Sequence, residues 1–291
     1  MNDELGRGAT DRPYRVANLP PANYRSDPSL SRGAILDLLR SPAHYYARHL
    51  AADLAVEEPS DAMRLGTLVH LAILEPSAFK STVAEGPDVS RATRIWKEAE
   101  AAAGGCELLK PAEMRKIVGI RDAVLAHPIA RSIFGGPGLP EASYFWPRQI
   151  TGRTAQGDGS LWLRARPDFV TDDGFVVDLK TTTDARAETF TRRAWDLGYH
   201  VQAALYLEGV SRYNVEAGLP APRAFVIVAV ETDPPFAVQV FAPDDGLLHL
   251  GAQAIDVALS RFVECSAAGD WPSYSREIVP LSPPRWAGSG F

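Results

Sequence analysis

The sequence predicts an α/β fold in which a mixed sheet is flanked by helices and preceded by a helical region. Three observations carry this prediction. Apolar residues recur at helical spacing up to about residue 138. The composition then switches at Gly-Gly-Pro-Gly-Leu-Pro (135–140). Beyond it, short β-branched and aromatic runs alternate with two long helical stretches.

Residues 1–28 are rich in Pro, Asn, Asp and Arg, lack periodicity and read as a flexible lead-in. A helix starts at Ser29 or Ser31, with Ile35, Leu38 and Leu39 at helical spacing. Pro42 breaks it, and a second short helix follows. Residues 61–75 form an apolar helix stopped by Pro76, and residues 91–134 form helices broken at Gly104-Gly105, Pro111 and Pro128. Glu141 to Trp146, Leu161 to Val170 and Phe175 to Thr181 have strand composition. Thr171-Asp172-Asp173-Gly174 is a turn signal that joins the last two into a hairpin. A helix from about Ala194 to Ala217 leads to strands at Ala224 to Val230 and Phe236 to Phe241. Asp244 or Asp245 can cap a helix running to about Ala268. Residues 29–275 are expected as one domain, helical over 29–138 and sheet-bearing over 139–275, with 276–291 an extended tail.

Composition narrows the function classes. A hydrophobic content of 46% and a charged content of 23% are those of a globular chain. No apolar stretch approaches the roughly 20 residues that span a bilayer, and the polar N-terminus is not a secretory signal. A cytoplasmic protein with no membrane association is expected. Cys106 and Cys265 are the only cysteines and stand in no paired spacing, which argues against a disulfide framework, a zinc site or an iron–sulfur cluster. The net charge of −6 argues against a passive nucleic-acid coat but not against an enzyme that gathers carboxylates.

The carboxylates gather in the hairpin. Side chains alternate along a strand, so Asp178 and Lys180 share one face while Val177 and Leu179 point to the other. A two-residue turn between Thr171 and Gly174 pairs Val170 with Phe175 and leaves Asp168 one position from the partner of Asp178. A one-residue bulge sets the two aspartates directly opposite. Either register brings like charges together, which raises one pKa or calls for a cation between them. A divalent ion with oxygen ligands is one such cation. An isolated Asp-x-Lys is far more often a surface salt bridge, so other residues must decide. Gln202 and Tyr206 are i, i+4 on the following helix and share a face with Tyr199. His70 is the one titratable group between Arg64 and Glu75 on an apolar helix, four residues after Gly66, and Glu141 opens the strand before the hairpin.

In this order, Gly66-xxx-His70, Glu141, Arg166-Pro167-Asp168, Asp178-Leu179-Lys180 and Gly198-Tyr-His-Val-Gln-Ala-Ala-Leu-Tyr206 resemble the PD-(D/E)xK nuclease superfamily. The pattern is most similar to the nuclease domain of exonuclease VIII (RecE), a relative of RecB-type and lambda exonucleases. Ser29-Leu-Ser31-Arg32 through Ser41-Pro-Ala-His-Tyr45 is similar to the opening of that domain, and the resemblance spans residues 29 to 275. It implies a restriction-endonuclease-like core. It further implies that His70, Asp168, Asp178 and the Leu179 carbonyl hold Mg²⁺ or Mn²⁺, with Glu141 an auxiliary acid. Lys180 would serve the attacking water, and Gln202 and Tyr206 would support the site. Ser31, Arg32, Arg164 and Arg166 are expected at the DNA backbone or 5′-phosphate, since Arg pairs bidentately with phosphate. Two cysteines leave the iron–sulfur branch of the RecB-like relatives aside.

The resemblance also implies 5′ to 3′ digestion of linear double-stranded DNA from an end, a ring-shaped homo-oligomer and a single-strand annealing protein as partner. An endonuclease, or a flap or single-strand nuclease, keeps the same site. A non-catalytic DNA-binding recombination partner would keep the fold but not the intact Asp, Asp and Lys set.

Overall fold

A computed structural model describes residues 11–51, 60–154, 157–275 and 277–283. The expected α/β architecture is present, and one five-stranded mixed sheet organises it.

The N-terminal half is helical, as its periodicity predicts. It begins with β1 (Tyr14–Val16) and α1 (Pro21–Ser26), then α2 (Arg32–Arg40), α3 (Pro42–Tyr45) and a π-helical turn at Tyr46–Leu50. Ser31 Oγ caps α2 by accepting from Ala34 N, and Ser41 Oγ does the same for α3 from His44 N. The apolar helix α4 (Asp61–Leu74) ends where Pro76 opens α5 (Pro76–Thr82). Strand β2 (Val83–Glu85), α6 (Arg94–Ala102), β3 (Glu107–Leu109), α7 (Pro111–Ala126) and α8 (Pro128–Phe134) follow.

The sheet-bearing half contains β4 (Gly138–Pro140), β5 (Ser143–Thr154), β6 (Gly157–Ala165), β7 (Phe169–Thr171) and β8 (Phe175–Thr182). After these come α9 (Ala187–Asp196), α10 (Tyr199–Glu216), β9 (Ala224–Glu231), β10 (Val238–Phe241) and α11 (Asp245–Ala268). The central sheet has the order β10-β9-β8-β7-β4, with β8 and β9 parallel and the other neighbours antiparallel. Strands β1, β5 and β6 form a second, antiparallel sheet.

Strand β9 is buried on both faces, which is why its sequence is an unbroken apolar run rather than an alternation. Phe225, Ile227 and Ala229 face a core shared with α2, α10, α11 and the second sheet. Val226, Val228 and Val230 face a second core shared with α4, α7 and α8. On β8, Val176 joins the first core, while Val177 and Leu179 join the second. Asp178 and Lys180, two and four residues after Val176, therefore point toward α10.

Several local expectations are corrected. Leu161 to Val170 is not one strand. It divides into β6 and β7, in different sheets, at Arg166-Pro167-Asp168, where Pro167 offers no backbone N–H to a ladder. The helix expected from about Ala194 is two helices, parted at Gly198, whose φ of +68° a helix cannot continue. Glu141 does not open a strand. It occupies the turn between β4 and β5 with φ of +50°. Within residues 135–140, where the sequence shows only a change of composition, β4 closes the sheet edge. Gly138 permits this, since a Cβ there would lie 2.6 Å from Val170 O. The largely helical half also contains the parallel pair β2–β3. The lead-in, read as flexible and unpatterned, carries β1 and α1; residues 1–10 lie outside the described residues. The tail shows no regular element over 277–283, and 276 and 284–291 lie outside the described residues.

Helix α10 is fixed by two close approaches. Gly209 lies under the Trp146 indole of β5, where a Cβ would come within 2.5 Å of the ring. Gly251 of α11 lies against the first turn of α10, where a Cβ would stand 2.1 Å from the His200 carbonyl oxygen. Backbone cannot yield as a flexible side chain can, so Gly251→Ala is expected to destabilise the protein by about 1–3 kcal/mol. Urea unfolding of the variant measures this, and an unchanged midpoint would contradict the packing described.

Candidate active site

The β7–β8 turn sets the geometry. Gly174 N donates to Thr171 O (3.0 Å) and Phe175 N donates to Thr171 Oγ1 (2.9 Å), with Gly174 at φ +94°. The ladder then pairs Val170 with Val176 and Phe169 with Val177. Continued by one residue, that register sets Asp168 opposite Asp178, which is the shifted alternative of the two that the sequence allows. Pro167 ends the ladder there, and the Asp168 carbonyl instead accepts from Glu141 N (3.0 Å).

His70 approaches from α4. Its Nδ1 lies 2.7 Å from the Gly66 carbonyl oxygen and its Nε2 lies 2.9 Å from Asp168 Oδ2. The same Oδ2 accepts from Leu179 N at 2.6 Å. In an extended strand a residue's N–H and C=O point to the same side, so the Leu179 carbonyl opens toward this gap as well. Gly66 lies against β8, with Thr181 Oγ1 at 3.7 Å from the position of a Cβ.

The other carboxylate is closed from the α10 side. Asp178 is buried and accepts from Gln202 Nε2 through Oδ1, and it forms an ion pair with Lys180 Nζ through Oδ2. Lys180 Nζ also lies 5.1 Å from the centre of the Tyr199 ring, and Arg32 Cζ lies 5.7 Å from it. Tyr206 is partly buried, with its ring 6.2 Å from that of Phe225. Burial raises its pKa well above the ordinary phenol value, and Tyr24 and Asp178 add to this.

Charge in this cluster is compensated internally. Burial works against the His70 cation, but the Asp168 carboxylate more than offsets it and lifts the imidazole pKa to about 9. Asp168 is lowered in turn, because His70 outweighs the cost of its burial. Burial raises Asp178, and Lys180 offsets this only in part. Burial also opposes the Lys180 ammonium, yet Asp178 and Asp168 together raise its pKa. Glu141 is pushed up to about 7 by burial and by the neighbouring Asp168.

The structure thus brings together His70, Glu141, Asp168, Asp178, Leu179, Lys180, Gln202, Tyr206 and Arg32. It gives other work to three of the residues expected at DNA. Ser31 is a helix cap. Arg164 is buried, with its guanidinium donating to the Asp27 and Arg25 carbonyls. Arg166 donates to Ser143 Oγ and the Leu19 carbonyl, both at 2.8 Å. Both arginines lie over the Tyr24 ring, at 4.9 and 4.2 Å, and so pin α1 beside the site. Sequence reasoning passed over Tyr24, which sits in a segment without periodicity. It also passed over Glu75, whose charge reaches Glu141; its place just after His70 at the end of the same helix was the available signal.

A mixed sheet that carries Asp168 just before β7 and Asp178 and Lys180 on one face of β8, backed by a Gln and Tyr helix, defines a protein of the PD-(D/E)xK class. Residues 31–280 match the family described as a PDDEXK-like domain of unknown function, DUF3799, and the chain belongs to that family. No curated protein matches the sequence. Among solved structures, the chain is similar to a putative exonuclease from Eubacterium rectale, with 14% identity and a TM-score of 0.59 over 94% of this chain and 98% of that one. A likeness to the structure of SSO0001 has 14% identity and a TM-score of only 0.28 over 79% and 83% of the two chains, and bears no weight. Family and site together support a nuclease. No helix among the described residues is long and apolar enough to cross a membrane.

His70 and Glu141 both bind protons more tightly in the folded chain than in the unfolded one. His70 rises from 6.5 to about 9, so its contribution is complete below pH 6.5 and lost as pH rises through 9. Glu141 rises from 4.5 to about 7, so the fold is favoured below pH 4.5 and loses that contribution by pH 7. In chelator, stability is therefore expected to fall between about pH 5 and 9. Urea unfolding across pH checks this: His70→Gln should flatten the upper part of the slope and Glu141→Gln the lower part. A slope that neither substitution alters would contradict the assignment.

Proposed function

We propose that the chain is a divalent-metal-dependent exodeoxyribonuclease that digests linear double-stranded DNA from an end, 5′ to 3′, and leaves a 3′ single strand for recombination. The observation that carries the metal-dependent cleavage is the register that opposes Asp168 to Asp178, with Lys180 on the same face and His70 against Asp168. End-directed digestion rests on the motif's resemblance to the exonuclease VIII domain and on the similar fold of the putative exonuclease. A ring-shaped oligomer and an annealing protein as partner belong to the same reading.

Among the described residues no three His, Cys, Asp or Glu side chains stand arranged to hold an ion, since His70 closes on Asp168 and Lys180 on Asp178. The donor types nevertheless suit Mg²⁺ or Mn²⁺, being carboxylates, an imidazole and a backbone carbonyl. His70, Asp168, Asp178 and the Leu179 carbonyl would hold the ion, with Glu141 beside them. Bound there, it would polarise the phosphodiester and lower the pKa of a water.

The chain's own groups do the rest. Lys180, released from Asp178, positions the attacking water and offsets charge growing on the phosphate. Gln202 holds Asp178 in one orientation through its amide N–H. Tyr206 stays a neutral phenol and can donate to a phosphate oxygen. Arg32, next to Tyr199 and Lys180, is the cation placed to pair with the backbone phosphate.

Nucleotide release from linear duplex DNA with Mg²⁺ or Mn²⁺ tests the proposal. Asp178→Ala and Lys180→Ala should each lower the rate by about 10²-fold or more. Closed circular DNA should resist, and 5′-phosphorylated ends should be preferred over 5′-hydroxyl ends. Undiminished activity in both variants would overturn the site, and cutting of closed circles would replace the exonuclease reading with an endonuclease.

A further inference from the structure

The junction between α9 and α10 holds an aromatic pair that the cleavage chemistry leaves unused. Trp195, at the end of α9, is 49% exposed, although the same helix buries Phe190. Its indole lies flat on the His200 imidazole, with ring centroids 4.4 Å apart and an interplanar angle of 13°. No other ring of the described residues stacks on it, and about half of the residue's surface stays exposed. Leu197 beside it is 41% exposed. Single exposed apolar side chains are ordinary on a surface, so this one gains meaning only from where it stands.

Its position supplies that meaning. His200 follows Tyr199 directly, and Lys180 and Arg32 both lie over the Tyr199 ring, at 5.1 and 5.7 Å. Arg32 also donates to the Leu197 carbonyl, which ties its guanidinium to the junction. The open indole face, a cation and the catalytic lysine therefore lie along one short path. Gly251 holds the His200 backbone in place from behind.

We propose that Trp195, backed by His200, is a platform on which an unpaired nucleobase of the DNA stacks while Arg32 holds the adjoining phosphate. The occupant is a nucleic-acid strand rather than an apolar peptide, because the open ring adjoins a guanidinium and the cluster assigned to phosphodiester cleavage. Flat rings beside a cation suit any base, since every base has a π-face, and the contact is insensitive to sequence. The proposal rests on the nuclease reading for the identity of the substrate but not for its test.

The test compares two fluorescein-labelled single strands of equal length, one with all its bases and one abasic throughout. Binding to the full-length protein is followed by anisotropy in Ca²⁺ or in chelator. The wild type should bind the base-containing strand about tenfold more tightly. Trp195→Ala should abolish that preference while leaving the abasic affinity unchanged, and Trp195→Phe should retain most of it. In cleavage assays the larger part of the Trp195→Ala effect should fall on KM. Equal affinity of the wild type for both strands would overturn the proposal, as would a Trp195→Ala loss that is the same for both. Self-association abolished by Trp195→Ala with the base preference intact would overturn it too, and would make the patch a contact between copies of the chain. Absence of cleavage with any divalent ion would remove the nuclease reading alone, because the binding comparison does not depend on turnover.

Discussion

The opposition of Asp168 and Asp178 across the β7–β8 ladder is the constraint on which the rest of the structure depends. Two carboxylates brought together where water is scarce are unstable unless cations meet them. Each is met from a different side. His70 comes from α4, in front of one face of the sheet, and Lys180 comes from β8 itself, on the face turned to α10. The helices that pack on the two faces are therefore also the helices that supply or orient the site. Packing and chemistry share one set of elements.

This arrangement has a cost that the fold carries elsewhere. Four ionisable groups lie in a space that apolar residues could fill, and replacing buried ion pairs by apolar side chains is often neutral or stabilising. The two apolar cores on either side of β8 and β9, and the glycine contacts at Gly209 and Gly251, offset it. Glu141 adds a further local cost by holding a left-handed backbone at the edge of the cluster. The proton held between His70 and Asp168 keeps the site neutral enough to fold without an ion. Under the proposed function, an ion bound there would have to displace that proton.

Much of the site is legible in the sequence because its signals are periodic. The shared face of Asp178 and Lys180 follows from strand alternation, and that of Tyr199, Gln202 and Tyr206 from helical spacing. Buried β9 reads directly from its unbroken apolar run. What the sequence leaves open are features set by single backbone events. The turn at Thr171 to Gly174 admits two registers, and the Thr171 hydroxyl accepting from Phe175 N selects one. Pro167 parts β6 from β7, and Gly198 parts α9 from α10, though each was embedded in a pattern that looked continuous. Arg164 and Arg166 look like phosphate ligands by type, but each donates to a lead-in carbonyl, more than 130 and 140 residues away along the chain, where no local signal points to them. Tyr24 is hidden for the same reason.

Under the proposed function, the opposed aspartates and His70 form one cation site. Counting bound Mn²⁺ by the electron paramagnetic resonance of the free ion tests it without DNA or turnover. The wild type should remove Mn²⁺ from solution with a defined stoichiometry, more tightly as pH rises and His70 gives up its proton. Asp168→Ala and Asp178→Ala should each lose that binding. Retention of the full stoichiometry in both variants would contradict that site.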